Sequence, residues 1–204
     1  MTSYLRYRIT ASLLAIAWGQ PVFADAVTVP PVPSAIQVEA GHTPFLKGHA
    51  VGTQNYVCLP SATGFSWTFF GPQATLFLTF KFFHSEIRQQ ITTHFLSPNP
   101  DESGTPRATW QSSLDTSAVW ARSIASSSDP AFVALGAIPW LLLRVVGAER
   151  GPTGGALLTP TTFIHRLNTS GGIAPSTGCS LATNVGATAL VPYTADYFFY
   201  KASR

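Results

Sequence analysis

Charge is what this chain has least of. Of its 204 residues only 10% are Asp, Glu, Lys or Arg, against about 25% in ordinary soluble domains. The basic residues never gather into a run, so the electrostatic footprint of a nucleic-acid binder is missing. Cysteine is scarce too, two residues in all. With no Cys-x-x-Cys, a structural zinc site built on thiolates is excluded. The five histidines, His42, His49, His84, His94 and His165, fall in no His-Glu-x-x-His pattern. The nearest approach to a nucleophile elbow, Gly64-Phe65-Ser66-Trp67-Thr68, fails at its last position. The nearest approach to a dinucleotide loop, Gly151-Pro152-Thr153-Gly154-Gly155, has the wrong spacing. No apolar run reaches the ~20 residues that cross a bilayer as a helix. No cofactor and no metal is implied.

What the chain has in quantity is apolar side chain. Hydrophobic residues make up 46%, and phenylalanine alone numbers 14, enough to build a large core. Residues 1–24 combine Arg6 and Arg8, an apolar stretch over 9–18 and Val22-Phe23-Ala24. That is the layout of an export signal cleaved before Asp25. Loss of the two arginines leaves ten basic against nine acidic residues, a formal charge of about +1. The expected location is therefore secreted, with no transmembrane anchor. In an oxidising space Cys58 and Cys179 are expected to pair; the rival uses, a metal pair or a nucleophile, have no supporting motif.

Residues 25–34, with Pro30, Pro31 and Pro33, read as an extended lead-in rather than core. From there to residue 204 short runs rich in Val, Ile, Phe, Tyr, Trp and Thr alternate with Gly, Pro, Ser and Asp. The pattern predicts a single all-β domain, an antiparallel sandwich or squat barrel of roughly eight to ten strands with long loops and one disulfide. Only 83–91 looks helical, and 97–116 reads as a polar surface excursion.

Candidate functional side chains come from distant places. His94, His165 and Asp196 are the suspects for an acid, base or nucleophile site assembled by the fold. Asp196, if it faces inward, needs a cation such as Arg144 or Arg166. Trp110 and Trp120 lie in or beside polar segments and are the candidates for exposed ligand contact, since sugar faces pack on aromatic rings. Trp140, inside Ile138-Pro139-Trp140-Leu141-Leu142-Leu143, reads as core. Asn168-Thr169-Ser170 is the one N-glycosylation sequon, used only on a eukaryotic secretory route.

Several ordered blocks resemble the DUF3455 family of secreted bacterial and fungal proteins. They include Gly52-Thr53-Gln54-Asn55-Tyr56-Val57-Cys58, Gly71-Pro72-Gln73-Ala74-Thr75-Leu76-Phe77, Arg166-Leu167-Asn168-Thr169-Ser170-Gly171-Gly172 and Val191-Pro192-Tyr193-Thr194-Ala195-Asp196-Tyr197-Phe198-Phe199-Tyr200. The resemblance runs from about Pro30 to the C-terminus. It implies no activity; some fungal members are labelled malate dehydrogenase, a label these residues do not support. The segment 78–84 departs from the family, which usually has a short polar turn after Leu76-Phe77. It is either an insertion that lengthens a hairpin or a gene-model artefact.

Export, low charge, surplus aromatics and the missing catalytic motifs together point to a non-catalytic extracellular or cell-surface binding or structural protein. Its expected partner is a glycan or another cell-surface macromolecule. The alternative is a secreted hydrolase with a site assembled from distant loops.

Overall fold

The computed structural model describes residues 27–83 and 85–203, with the side chains of residues 81 and 82 set aside. The expected export signal lies outside the described residues. Eight strands follow in order: β1 (His42–Ser61), β2 (Gly64–Phe82), β3 (Ser85–Asn99), β4 (Thr105–Ser112), β5 (Ala118–Ser127), β6 (Trp140–Glu149), β7 (Thr161–Gly171) and β8 (Thr188–Ala202). Each pairs antiparallel with the next, and β8 returns to pair with β1, closing the sheet into a barrel. Of the two expected architectures the barrel is the one formed. Closure leaves the wall itself without an open edge, the usual template for edge-to-edge aggregation; unpaired edges remain on the two hairpins that run past it.

Side-chain alternation sorts each strand into an inner and an outer face. On β8, Tyr193, Ala195, Tyr197 and Phe199 point into the bore. Phe198 and Tyr200 belong to a second apolar cluster outside the wall, with Trp140, Leu142, Phe163 and Leu167. Trp140 is thus buried as expected, on the outer face. That cluster is covered by Ile36, with Val27, Val29 and Val32 packed against it. The Pro-rich lead-in therefore does more than extend the chain. His165 ties it down: Nε2 donates to the Ile36 carbonyl at 2.6 Å, while Nδ1 lies 2.9 Å from the Tyr200 hydroxyl.

One end of the bore is plugged. The loop between β6 and β7 inserts Leu158, fully buried, into the inner cluster beside Val119, Ile164 and Phe199. Asp115, in the turn between β4 and β5, holds this plug. Its Oδ2 accepts from Leu157 N and its Oδ1 from Ser117 N and Oγ, while Ser117 Oγ accepts from Leu158 N. Burial pushes the Asp115 carboxyl up, but these donors outweigh it and hold the group down at about 2.

At the other end β1 and β2 run on past the wall as a hairpin. Cys58 there is bonded to Cys179 in the loop between β7 and β8, and Trp67 Nε1 donates to the Thr177 carbonyl. The predicted disulfide staples that loop to the wall.

Two local expectations are corrected. Residues 83–91 are not helical: Ser85–Asn99 is a strand, and Lys81, Thr79 and Leu78 of β2 pair with Glu86, Arg88 and Gln89. Charged and polar residues in a two-stranded ribbon mimic a helix signal because neither face is buried. Segment 78–82 lengthens this ribbon, leaving Leu78, Phe80 and Ile87 exposed. Nor is 97–116 a loose excursion. It contains the end of β3, a one-turn 3-10 helix Pro100–Glu102 and the whole of β4. Asn99, fully buried, shapes the corner by donating to Glu102 Oε2 and Val146 O and accepting from Asp101 N.

Reducing Cys58–Cys179 is expected to lower stability by roughly 2–5 kcal/mol, read as a drop in melting temperature with reductant; an unchanged melt would show that the staple is dispensable. Asp115→Ala strands the donors of the plug and is expected to cost about 2–3 kcal/mol. Because the Asp115 pKa is depressed, its contribution is present above about pH 4 and drains away as pH falls toward about 2. Wild-type protein should therefore lose more stability over that window than the Asp115→Ala variant in denaturant melts at matched pH.

Candidate functional site

The open end of the barrel holds a cavity of about 440 Å³, within the range of small-molecule sites. It exists because the inward positions near this mouth carry small residues. Ala108 on β4 faces Ala121 on β5, and Pro72 on β2 adds little bulk. An eight-stranded bore is just wide enough for side chains to fill it or for one small ligand to be held. Leu96, Leu141 and Leu143 supply the apolar wall.

The floor is aromatic and polar. His94 on β3 stands opposite Trp110 on β4, and the rings stack with centroids 4.1 Å apart at 10°. Tyr197 meets both edge-on. His94 Nδ1 is 2.9 Å from the Thr109 carbonyl, which can only accept, so Nδ1 carries the proton and Nε2 is an acceptor. Burial pushes the imidazole pKa down to about 3, against the pull of the Thr109 carbonyl and with the Arg166 charge adding to the fall. His94 is neutral at any ordinary pH.

Arg166 on β7 faces inward from the strand position after Ile164 and His165. Its Nε and Nη2 donate to the Pro139 carbonyl at 3.3 and 2.9 Å, which fixes the guanidinium plane. Among the described residues no carboxylate lies within 4.0 Å of it. Arg107 and Arg122 also line the mouth; Arg107 is bidentate to Glu102. Among the described residues no Asp or Glu lines the cavity. Two further donors there lack partners: Trp110 Nε1 and Gln54 Nε2, both on buried side chains. Gln54 acts on the Tyr193 hydroxyl as a side-chain hydrogen-bond partner, working to lower its pKa, although Nε2 falls outside strict hydrogen-bonding geometry.

The three suspects for an assembled catalytic site do not converge. His94 is inside the bore. His165 is outside it, both ring nitrogens engaged by Ile36 and Tyr200. Asp196 also faces outward, against Lys47 Nζ at 3.0 Å, His49 Nδ1 at 2.9 Å and Asn168 Nδ2 at 3.0 Å. Its partners are therefore not Arg144 or Arg166: Arg144 pairs with Glu39 and Arg166 points inward. Burial raises the Asp196 carboxyl, but Asn168, His49 and Lys47 together hold it below its ordinary value. Asn168, the sequon residue, is exposed, with φ at +51° in a bulge of β7.

The expectation of exposed tryptophans is corrected. Trp110 is 0% exposed and Trp120 6%. Trp110 lies between Thr109 and Gln111, which face the opposite side of β4, whereas Trp120 lies between the inward Val119 and Ala121. Trp120 packs on the outer wall with Nε1 donating to Ser97 Oγ. Trp110 is still a cavity residue, as floor rather than platform. Sequence reading missed Gln54 and Arg166 as site residues, although each sits in a family-like block. Their signal was an unpaired polar residue at an inward strand position, visible only once the register is known.

The neutral state of His94 is directly measurable. Its NMR resonances should show no titration between pH 5 and 8, with a proton fixed on Nδ1. Because the pKa is depressed, stability is full above about 6.5 and falls as pH drops toward about 3, by up to about 1.4 kcal/mol per pH unit. A His94 titration midpoint near 6.5 would contradict this environment.

No curated protein and no solved structure matches the chain. A family model described as "Protein of unknown function (DUF3455)" matches residues 39–201, most of the chain, and the barrel with its donor-lined mouth therefore belongs to a member of the DUF3455 family.

Proposed function

We propose that this protein is a secreted, non-catalytic binding protein that takes part of an extracellular ligand, such as a glycan unit, into the mouth of its barrel. The observation that carries the reading is the hollow mouth itself, about 440 Å³, floored by the His94–Trp110 stack and lined by Arg166, with the buried Trp110 Nε1 donor left without a partner. Leaving such a donor without a partner costs about 1–3 kcal/mol, so folded proteins rarely keep one without a ligand or an ordered water to meet it. Export to an oxidising space is supported by the Cys58–Cys179 bond. Among the described residues no helix is long and apolar enough to cross a membrane.

Filling the mouth tests the reading. Ala121 is buried at the cavity wall, so Ala121→Leu puts bulk into the ligand's space at a cost of about 1–3 kcal/mol. Wild-type protein screened by thermal shift against mono- and oligosaccharides and small organic molecules should yield ligands that raise its melting temperature. The Ala121→Leu variant, folded by circular dichroism, should lose that response. Ligands that stabilise both forms equally would place binding elsewhere.

A further inference from the structure

Resting on that reading of the mouth, we infer that the ligand is an acid, a small molecule whose carboxylate is received by Arg166 at the floor of the barrel. The cavity is one-sided in its chemistry. Arg166, Arg107 and Arg122 line it, and among the described residues no carboxylate does. Glu102 pairs with Arg107 through two hydrogen bonds and also acts electrostatically on Arg122 at the rim, so Arg166 is the arginine of the three left without a carboxylate. Arg166 is half-buried and lacks any carboxylate within 4.0 Å among the described residues. A partly desolvated guanidinium without a counter-charge is costly, and an entering anion would lower that cost.

The guanidinium is also prepared for a planar anion. The Pro139 carbonyl takes Nε and one Nη2 hydrogen and the Tyr197 hydroxyl engages the group as well, which locks the plane and leaves two of the five N–H groups for a ligand. A carboxylate matches that fork with two parallel hydrogen bonds. Trp110 and Gln54, which line the same cavity, carry further N–H donors and no negative charge. Neutral His94 offers Nε2 as an acceptor for a ligand hydroxyl. Leu96, Leu141 and Leu143 would face the ligand's body. Two kinds of molecule share this chemistry, an acidic sugar and an aromatic hydroxy acid.

The test pairs each acid with a neutral counterpart: galacturonic acid with galactose, and 4-hydroxyphenylacetate with its amide, by isothermal titration on the disulfide-bonded protein. At least one acid is expected to bind at least tenfold more tightly than its neutral partner, with the preference weakening as salt rises. The member that binds names the source. Arg166→Gln should bring acid and neutral partner within about threefold of each other, and Arg166→Lys should retain only part of the preference, a point charge lacking the fork. If the arginine variants fail to fold, the wild-type acid-to-neutral ratio still decides. Equal binding within a pair, or binding of neutral members alone, overturns the acid assignment and leaves the binding barrel standing. Failure of both acids to bind folded protein also overturns it, and failure of the Ala121-sensitive thermal shifts separately overturns the binding barrel.

Discussion

Everything else in this molecule depends on the ladder that joins β8 to β1. It runs from His42 opposite Ala202 to Val57 opposite Thr188, and it turns a meander into a closed wall. Closure with eight strands fixes the bore at a width that side chains nearly fill. Whether such a barrel is solid or hollow is then decided layer by layer by residue size. Toward the plugged end the layers hold Leu76, Ile91, Val119, Leu158, Ile164 and Phe199, and they are solid. Toward the mouth, Ala108 and Ala121 leave space, and the floor is the His94–Trp110 stack.

The two ends are finished by different physics. The plugged end relies on a carboxylate: Asp115 gathers backbone and hydroxyl donors from two loops and so seats Leu158. The mouth end relies on a covalent bond, Cys58–Cys179, which holds the loop between β7 and β8 against the extended hairpin. The division accords with the binding proposed for the mouth. A disulfide constrains the rim without adding charge near Arg166, whereas a carboxylate clip there would supply the counter-charge that the cavity lacks.

The outer wall has its own order. Low overall charge means that the few ion pairs can be placed individually, as Lys47, His49 and Asn168 are around Asp196. The apolar stripe formed by Trp140, Phe163, Phe198 and Tyr200 is covered by the N-terminal segment through Ile36 and its neighbours. His165 was a catalytic suspect by residue type. In the fold its two nitrogens serve to fasten that cover.

Much of the architecture was legible in the residues themselves. Short β-branched and aromatic runs separated by Gly and Pro specify strands and turns because those preferences are local, and two cysteines with no metal spacing specify a disulfide by arithmetic. Helix was misread at 83–91 because an exposed ribbon buries neither face and so carries no period-two signal. The site was not legible. Trp110 and Trp120 both sit inside short strands, yet one floors the bore and the other packs outside, because inward or outward is set by register and a shift of one residue exchanges the faces. Arg166 and Asp196 invite pairing as charges, but the closed wall stands between them. The strands, the disulfide and the sparse charge are written in the residues, as consequences of local chemistry. Closure of the sheet, the hollow end and the polar groups gathered there belong to the folded molecule, because they follow from distant residues brought to one layer.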